Sequence, residues 1–370
     1  MDYHFEGEGE LDSPALVYHE DIIEENLEKA LAMAGGPDRM WPHVKTFKSA
    51  AMVRLLKERG IRRFKCATIA EAEMCAQGGA DHVLVSYPLV GPNIGRFIRL
   101  GQRYGGSTFW AAGDDLEQLT LLGVKAAKAA GTAAGRAIPF LVDVNPGMNR
   151  TGVAPEALKD FCLRAGKIPG LELMGLHCYD GNLGIKDSGE RERAVAEETK
   201  KILAVRDAVE AQGQRLPVLV MGGTPTFPFH ARNGAAFLSP GTLFVQDHGY
   251  DAKYRDLVFS PGAAILTRVI SRPRHDLFTL DLGYKAIASD QEGERGIITD
   301  LPGAQSETHS EEHWVFRLSA GPCPAIGTIL HVIPTHICPT TALYPGVYVV
   351  RDRRLVNYWT VDARNRRILI

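Results

Sequence analysis

Two lysines stand three residues apart in the segment "HVKTFKS", at positions 45 and 48. Lys45 ends a short apolar run, whereas Lys48 directly precedes Ser49, the predicted N-cap of a helix. Because three residues along an extended chain reverse the side-chain direction, the two amines do not face the same side. A lysine buried at a strand end has a lowered pKa, and its neutral amine can form a Schiff base with a carbonyl compound. The alternative is an ordinary solvated lysine.

Two glycine-threonine loops are candidates for holding an anion. "MGGTPTF" carries Gly222, Gly223 and Thr224, and "SPGTLF" carries Gly241 and Thr242. Consecutive backbone N–H groups beside hydroxyls can cradle a phosphate. An ordinary turn explains the first loop equally well, because glycine-rich turns are common. The second Gly-Thr pair favours the phosphate interpretation.

Further polar residues follow apolar runs or stand near the end of the chain. Arg150, in "DVNPGMNRTGV", has the planar fork that orients a carboxylate or phosphate, or it is simply solvated. His336 and Cys338 stand at i and i+2, on one face if the chain is extended, and imidazole plus thiolate suits zinc. A buried, inert pair is the alternative. His313, in "SEEHWVF", is either a site residue or part of a polar strand entry.

The composition favours a soluble protein with a small-molecule partner. The 370 residues are 45% hydrophobic, with a net charge of −2 and a pI near 6.6, which argues against a nucleic-acid-binding surface. The six scattered cysteines predict reduced thiols. The acidic N-terminus does not resemble a signal peptide, and no apolar run is long enough to cross a membrane. We expect a cytoplasmic protein that binds neither nucleic acid nor membrane.

Short apolar runs alternate with helical patterns over the first two thirds of the chain. Eight runs read as strands: "WPHVK" from 41, "RFKCAT" from 63, "HVLVSYP" from 82, "STFWAAG" from 107, "IPFLVDV" from 138, "LELMGLHCY" from 171, "PVLVMGG" from 217 and "GTLFVQD" from 241. Helices between them are punctuated by Ser49, Gly60, Gly131 and Pro155. The pattern predicts an α/β fold with a (β/α)₈ TIM-type barrel, and a doubly wound open sheet is the alternative.

Beyond residue 255 the pattern changes to short β-type runs separated by Gly, Pro and Asp turns. The runs are "AAILTRVISR", "LFTLDLG", "WVFRLSA", "TILHVIP", "VYVVRD" and "LVNYWTVDARNRRILI". We therefore predict a barrel over 15–250 and an antiparallel β domain formed by 1–14 and 251–370. In a barrel, functional residues gather at the carboxyl ends of the strands, where Lys45, the 145–152 loop and the "YDG" segment at 179–181 fall.

Seven segments together resemble the D-threonine aldolase and D-serine dehydratase family. They are "RMWPHVKTFKS", "KCATIAEAEMCAQGGADHVLVSYPLVGP", "DVNPGMNRTGV", "GLHCYDG", "MGGTPTF", "SPGTLFVQD" and "PTHICPTTALYP", in the family's order and along most of the chain. The family comprises fold-type III pyridoxal-phosphate enzymes with an alanine racemase-like barrel and a C-terminal β domain. The resemblance therefore implies a lyase that acts on D-configured β-hydroxy amino acids.

The resemblance also implies the roles of individual residues. Lys45 would carry the Schiff base, and Lys48 would not. Arg150 and Tyr179 would lie beside the cofactor, whose phosphate would bind at Gly222, Gly223 and Thr224, with Gly241 and Thr242 as further candidates. A divalent metal (Zn, Mn or Mg) would bind His336 and Cys338, and Asp180 and His313 are candidate acid-base residues.

Two features separate the aldolase from the dehydratase reading. A His-x-Cys metal pair is more typical of the dehydratases, and "YDG" replaces the "YHG" that the aldolases tend to carry. The running text around "ATIAEAEM", "HICPT" and "SEEH" is similar to a subgroup labelled D-threonine aldolase-like. We expect a retro-aldol lyase that releases glycine and an aldehyde, with elimination of water from D-serine or D-threo-3-hydroxyaspartate as the alternative.

Two other classes fit less well. A cofactor-carrying barrel without turnover would lack the β domain, and a metal-independent racemase would use a tyrosine such as Tyr344 or Tyr348 and leave the metal pair without purpose. By analogy with the fold, we expect a homodimer.

Overall fold

The structure, a computed structural model, describes residues 1–130 and 137–370. The strands are β1 (Ala15–His19), β2 (Arg63–Cys66), β3 (His82–Val85), β4 (Thr108–Gly113), β5 (Ile138–Val144), β6 (Leu171–Cys178), β7 (Val218–Met221), β8 (Phe237–Leu238), β9 (Ala263–Arg274), β10 (Leu277–Leu280), β11 (Gly296–Ile298), β12 (Ala304–His309), β13 (Trp314–Leu318), β14 (Ile329–Pro334), β15 (Gly346–Arg351) and β16 (Arg354–Thr360).

The α-helices are α1 (Glu20–Ala34), α2 (Ala50–Glu58), α3 (Ile69–Gln77), α4 (Pro92–Arg103), α5 (Leu116–Ala130), α6 (Pro155–Ala165), α7 (Ser188–Glu210), α8 (Phe227–Asn233), α9 (His248–Lys253) and α10 (Ile337–Leu343). Pro155 occupies the first turn of α6, where its missing N–H costs nothing. Gly131, the predicted end of α5, lies outside the described residues. Among the described residues, no helix has both the length and the hydropathy needed to cross a membrane.

The chain divides into two compact units. The barrel unit comprises Ala30–Lys45, Ala50–Gly241 and Arg366–Ile370, and the β unit comprises Met1–Lys29, Thr46–Ser49 and Thr242–Asn365. The sequence analysis predicted that the barrel ends at residue 250, whereas in the structure the main segment of the barrel unit ends at Gly241. β1, which the sequence analysis assigned to the barrel, pairs with β9 and β15 in the β unit.

The barrel unit contains a parallel sheet in which the strands lie in the order β2 to β8. Helices alternate with these strands along the chain. Single bridges join Met40 to Leu238 in β8 and His43 to Lys65 in β2, so residues 40–43 close the ring in place of a full first strand. The Trp41 and His43 N–H groups donate to Leu238 and Pro240, which confirms the barrel. Residues 44–46 form a 3₁₀ turn where the sequence predicted the strand end.

The predicted eighth strand at 241–247 is wrong. The strand is β8, at Phe237–Leu238, and Thr242–Phe244 form a 3₁₀ helix whose residues are all buried. A short apolar run that is buried all round has no periodicity to distinguish a strand from a helical turn. The alternation of apolar runs and helices therefore predicted that a last strand exists but placed it a few residues too late in the chain.

The barrel interior is filled by large side chains from alternate strand positions. Lys65, Leu84 and Trp110 share one register across β2, β3 and β4, and Leu84 and Trp110 belong to the apolar core. Trp41 packs edge-on against Trp110, with ring centroids 5.3 Å apart, and donates its indole N–H to Phe64. This apolar layer supports the polar side chains at the carboxyl ends of the strands.

The β unit is a mostly antiparallel sheet, as predicted, with β1 and β15 as a parallel pair. The sequence analysis identified β9, β10 and β13–β16 and missed β11 and β12, which are short or exposed. It also missed α10, which is seven residues long. Phe5, Val17 and Leu266 lie in the apolar core of the β unit. All six cysteines of the chain are free thiols, as expected.

Candidate active site

A cavity of about 560 Å³ in the barrel unit contains the predicted lysine. It is lined by His43, Lys45, Lys65, Ala67, Ser86, Tyr87, Pro88, Val90, Arg150, Thr151, His177 and Tyr179. These residues come from the closing segment 40–45 and from the carboxyl ends of β2, β3, β5 and β6, together with the loops that follow them. The cavity therefore lies at the edge of the barrel where the sequence predicted the functional residues.

Three cations surround the ring of Tyr179, which directly follows β6. The Nζ atoms of Lys45 and Lys65 each lie 5.7 Å from the ring centroid, and Arg150 Cζ lies 5.0 Å from it. Lys45, Arg150 and Tyr179, all predicted from the sequence, thus meet in one cavity. Lys48, with a φ of 48°, belongs instead to the β unit, where its carbonyl accepts the Ala363 N–H.

Lys65 is the residue that the sequence analysis missed. Its side chain is buried, and its Nζ lies 3.4 Å from His177 Nε2. Burial first, and then the charge of Lys45, lowers the pKa of Lys65 to about 7. The signal was present in "RFKC", because Lys65 lies between Phe64 and Cys66, which are both apolar and buried.

His177 and Asp143 continue inward from Lys65 as a hydrogen-bonded chain. His177 Nδ1 lies 2.7 Å from Asp143 Oδ1, and Thr151 donates to Asp143 Oδ2 at 2.7 Å. Burial, and then the charge of Lys65, lowers the pKa of His177, so its neutral ring donates from Nδ1 and accepts from Lys65 at Nε2. Burial raises the pKa of Asp143, but the bonds from His177 and Thr151 outweigh it and lower the pKa.

The loop after β7 is tightly bonded within itself. Gly222 has a φ of +85°, and a Cβ there would come within 2.9 Å of the His230 ring. The Gly223 N–H donates to Thr226 Oγ1 at 3.1 Å, so this predicted phosphate donor already has a partner. Thr224 is buried in the same loop. The phosphate-binding role of Gly222, Gly223 and Thr224 stays a prediction.

Asp180 lies beneath this loop and does not line the cavity. Its side chain is 1% exposed, its Oδ1 accepts from Thr226 Oγ1 at 3.0 Å, and its Oδ2 lies 2.7 Å from His230 Nε2. Both oxygens therefore have partners in the protein. The catalytic role of Asp180 stays a prediction, and the observed contacts are those of a residue that holds the loop against α8.

In the β unit, the side chains of His336 and Cys338 are hydrogen-bonded to each other. His336 is the N-cap residue of α10 and Cys338 lies in its first turn, so this segment is not extended. The two side chains nevertheless meet. Burial opposes both charges, but each partner stabilises the other, which raises the pKa of His336 to about 9 and lowers that of Cys338. Asp290 lies 2.6 Å from His336 Nδ1.

Two threonines of the β unit surround the Cys338 sulfur. Thr46 Oγ1 and Thr242 Oγ1 lie 3.2 and 3.5 Å from Sγ. Thr242, predicted with Gly241 to hold the cofactor, thus contacts Cys338, while Gly241 is buried at the end of its segment of the barrel unit. A stabilised thiolate beside an imidazole is a chemically suitable donor pair for a divalent metal.

His313 and the two tyrosines occupy other parts of the β unit. His313 is exposed immediately before β13, and its catalytic role stays a prediction. Tyr344 is buried, donates to the Ala286 carbonyl at 2.7 Å, and has a pKa raised by burial. Tyr348 lies in β15, stacked edge-on against Tyr358 at 5.1 Å. These contacts give both tyrosines packing roles.

Comparison with known proteins agrees with this geometry. Residues 19–247 match the family described as "Alanine racemase, N-terminal domain", and residues 262–350 match the "Putative serine dehydratase domain". The first match covers more than half of the chain. It contains the barrel cavity, and the second contains His336 and Cys338.

Individual relatives match over nearly the whole chain. A D-threonine aldolase of Arthrobacter sp. is 28% identical over 96% of this chain and 93% of its own. A D-threo-3-hydroxyaspartate dehydratase of Delftia sp. (strain HT23) is 24% identical over 94% and 97%. The solved D-threonine aldolase of Filomicrobium marinum superposes with a TM-score of 0.89 at 26% identity, covering 96% of each chain. The chain belongs to the D-threonine aldolase and D-serine dehydratase family of pyridoxal-phosphate lyases, which have an alanine racemase-like barrel.

Proposed function

We propose that this protein cleaves D-configured β-hydroxy amino acids between Cα and Cβ, releasing glycine and an aldehyde. The observation that carries the proposal is the cavity in which the Lys45 amine faces the Tyr179 ring beside Arg150. Relatives named D-threonine aldolase and 3-hydroxy-D-aspartate aldolase, each 28% identical, support the substrate class.

The cavity fits the predicted cofactor in its chemistry. A primary amine, an aromatic face and a guanidinium are what attachment of an aldehyde, packing of a flat ring and orientation of an anionic oxygen require. When bound, pyridoxal phosphate supplies an electron sink for the pair released at the substrate Cα, and a divalent metal supplies a Lewis acid. Lys45 would hold the cofactor through its amine, and Tyr179 would support the cofactor ring.

Lys65 and Arg150 give the cavity a positive charge that attracts the carboxylate of an amino acid. Because its pKa is about 7, Lys65 exchanges a proton near neutral pH. His177 accepts from the Lys65 amine and is itself held by Asp143, so the direction of that amine is fixed. We assign Lys65 the role of moving a proton inside the cavity.

The predicted metal pair has a chemical preference. The low pKa of Cys338 favours the thiolate, a soft ligand that suits Zn²⁺ better than Mg²⁺ or Mn²⁺. We therefore propose zinc at His336 and Cys338. Metal binding would release the proton of His336, and any proton still on Cys338, so metal affinity would rise with pH.

Elimination of water, giving a keto acid and ammonia, is the second candidate. The His-x-Cys pair and the match of the β unit to a putative serine dehydratase domain favour it. The two reactions differ in which bond at the substrate breaks, so their products separate them.

The test is incubation with D-threonine and with D-serine, assaying glycine plus acetaldehyde separately from ammonia plus keto acid. We expect glycine and acetaldehyde from D-threonine, with L-threonine and Lys45→Ala as negative controls. Ammonia without glycine identifies the dehydratase. The absence of both product sets with D-substrates contradicts the proposed chemistry.

A further inference from the structure

Three metal-ligating side chains converge in the β unit, in a cluster that contains neither His336 nor Cys338. They are His4, Glu8 and His331, whose donor atoms all lie within 4.8 Å of one another. Within residues 1–130 and 137–370, no other group of three His, Cys, Asp or Glu donors converges this closely. The cluster joins the start of the chain to β14, more than 300 residues away along the sequence.

Local backbone geometry brings the first two ligands together. Gly7 adopts a φ of +80°, which starts the 3₁₀ turn Glu8–Glu10 and returns Glu8 beneath His4. Glu8 Oε1 lies 2.7 Å from His4 Nδ1, and Glu8 Oε2 accepts the Phe5 N–H. The side chains are 36% (His4) and 17% (Glu8) exposed, so an ion can reach them from solvent.

His331 supplies the observation that points to a ligand. Its side chain is completely buried, and neither ring nitrogen has a hydrogen-bond partner. Buried polar atoms almost always have partners, because an unsatisfied one loses its hydration without compensation. Its Nε2 lies 3.4 Å from Glu8 Oε2 without forming a hydrogen bond, and its ring meets that of His4 edge-on, with ring centroids 4.6 Å apart.

The separation of His331 Nε2 and Glu8 Oε2 matches a tetrahedral metal site. Two donor atoms that each bind Zn²⁺ at about 2.0–2.1 Å are separated by about 3.3 Å along the tetrahedron edge. His331 Nε2 and Glu8 Oε2 already have that separation. At His4 Nδ1 the metal would replace the proton now shared with Glu8.

Asp300 completes the arrangement from outside. Its Oδ1 lies 3.1 Å from His4 Nε2, and its Oδ2 accepts the backbone N–H of His331. A carboxylate that accepts from the remote nitrogen of a ligating histidine fixes the tautomer with a lone pair on the metal side. Asp300 thus prepares His4 to bind through Nδ1.

We propose that His4, Glu8 and His331 bind a divalent transition metal, Zn²⁺ in particular, which ties the N-terminal segment to β14. Two imidazoles and one carboxylate form a donor set that suits zinc, and water from the exposed side fills the fourth position. Because the three donors converge only in the folded chain, binding of the ion stabilises the folded β unit. The proposal does not depend on the proposed lyase activity.

The test measures zinc per chain in the full-length holoenzyme by mass spectrometry after chelation, re-equilibration with micromolar zinc and removal of the unbound metal. The variants are Glu8→Gln and His4→Ala, with His275→Ala as a control, because that side chain is 96% exposed. Glu8→Gln keeps an oxygen for the Phe5 N–H, so it preserves the turn. Any zinc bound at His336 and Cys338 is present in the wild type and in all three variants, so it does not affect the difference in zinc content between them.

We expect Glu8→Gln and His4→Ala to bind one zinc fewer per chain than the wild type and His275→Ala, with unchanged turnover in Glu8→Gln. Zinc should raise the melting temperature of the wild type more than that of Glu8→Gln. Zinc contents that are equal in all four proteins would overturn the proposal. An equal response of both melting temperatures to zinc would do the same.

Discussion

The buried amine of Lys65 makes the stability of the barrel unit depend on pH in a calculable way. Its pKa is about 7 in the folded protein and 10.5 as a free side chain. Between these values the unfolded chain binds more protons, so the free energy of unfolding rises with pH. The difference between the two pKa values lowers the free energy of unfolding by about 5 kcal/mol at pH 6 and by about 2 kcal/mol at pH 9.

Lys65→Met removes this titration and keeps the volume of the side chain. We expect the stability of the wild type, measured relative to Lys65→Met, to rise by about 2–3 kcal/mol from pH 6 to pH 9. The variant should therefore be the more stable protein at pH 6, although Lys65 is retained for its place in the cavity.

The measurement is urea unfolding of cofactor-free protein, followed by tryptophan fluorescence across this pH range. Lys167→Met, which removes an exposed lysine of the same unit, is the control and should show no such trend. A difference between wild type and Lys65→Met that stays constant from pH 6 to pH 9 would refute the assignment of a buried, titrating amine.

Three other substitutions test separate parts of the site. Gly222→Ala places a Cβ 2.9 Å from the His230 ring at a positive φ, so cofactor affinity should fall at least tenfold in a spectroscopic titration. Cys338→Ala should abolish metal-dependent turnover and leave the visible band of the bound cofactor intact; loss of the band would contradict separate roles. Asp180→Ala leaves buried His230 without its partner and should destabilise the protein by about 1–3 kcal/mol, whereas unchanged stability would show that the pair is dispensable.

The alternation of apolar runs and helices was enough to predict the barrel, because each buried strand leaves a local signature. It failed at 241–247, where an apolar segment is buried as a 3₁₀ helix and lacks any periodicity. It also placed β1 in the barrel. Whether a strand joins one sheet or another depends on long-range pairing, here with β9 and β15, which a single sequence does not encode locally.

The candidate site divides along similar lines. Lys45, Arg150 and Tyr179 could be predicted because motifs shared with the family contain them, and the cavity brings them together. Lys65 and His177 were missed because each stands inside an apolar strand and looks like an irregularity there. Only the register across neighbouring strands, which places both at the carboxyl ends and inside the ring, reveals their part in the cavity.

Lys45 as the attachment point of the cofactor is the central claim, and two other lysines compete with it. Lys65 lines the same cavity, and Lys48 is three residues away along the chain. Borohydride reduction of the protein loaded with pyridoxal phosphate, followed by proteolysis and peptide mass spectrometry, identifies the modified residue. The account predicts a phosphopyridoxyl group on Lys45; a modification on Lys65 or Lys48 instead would contradict it.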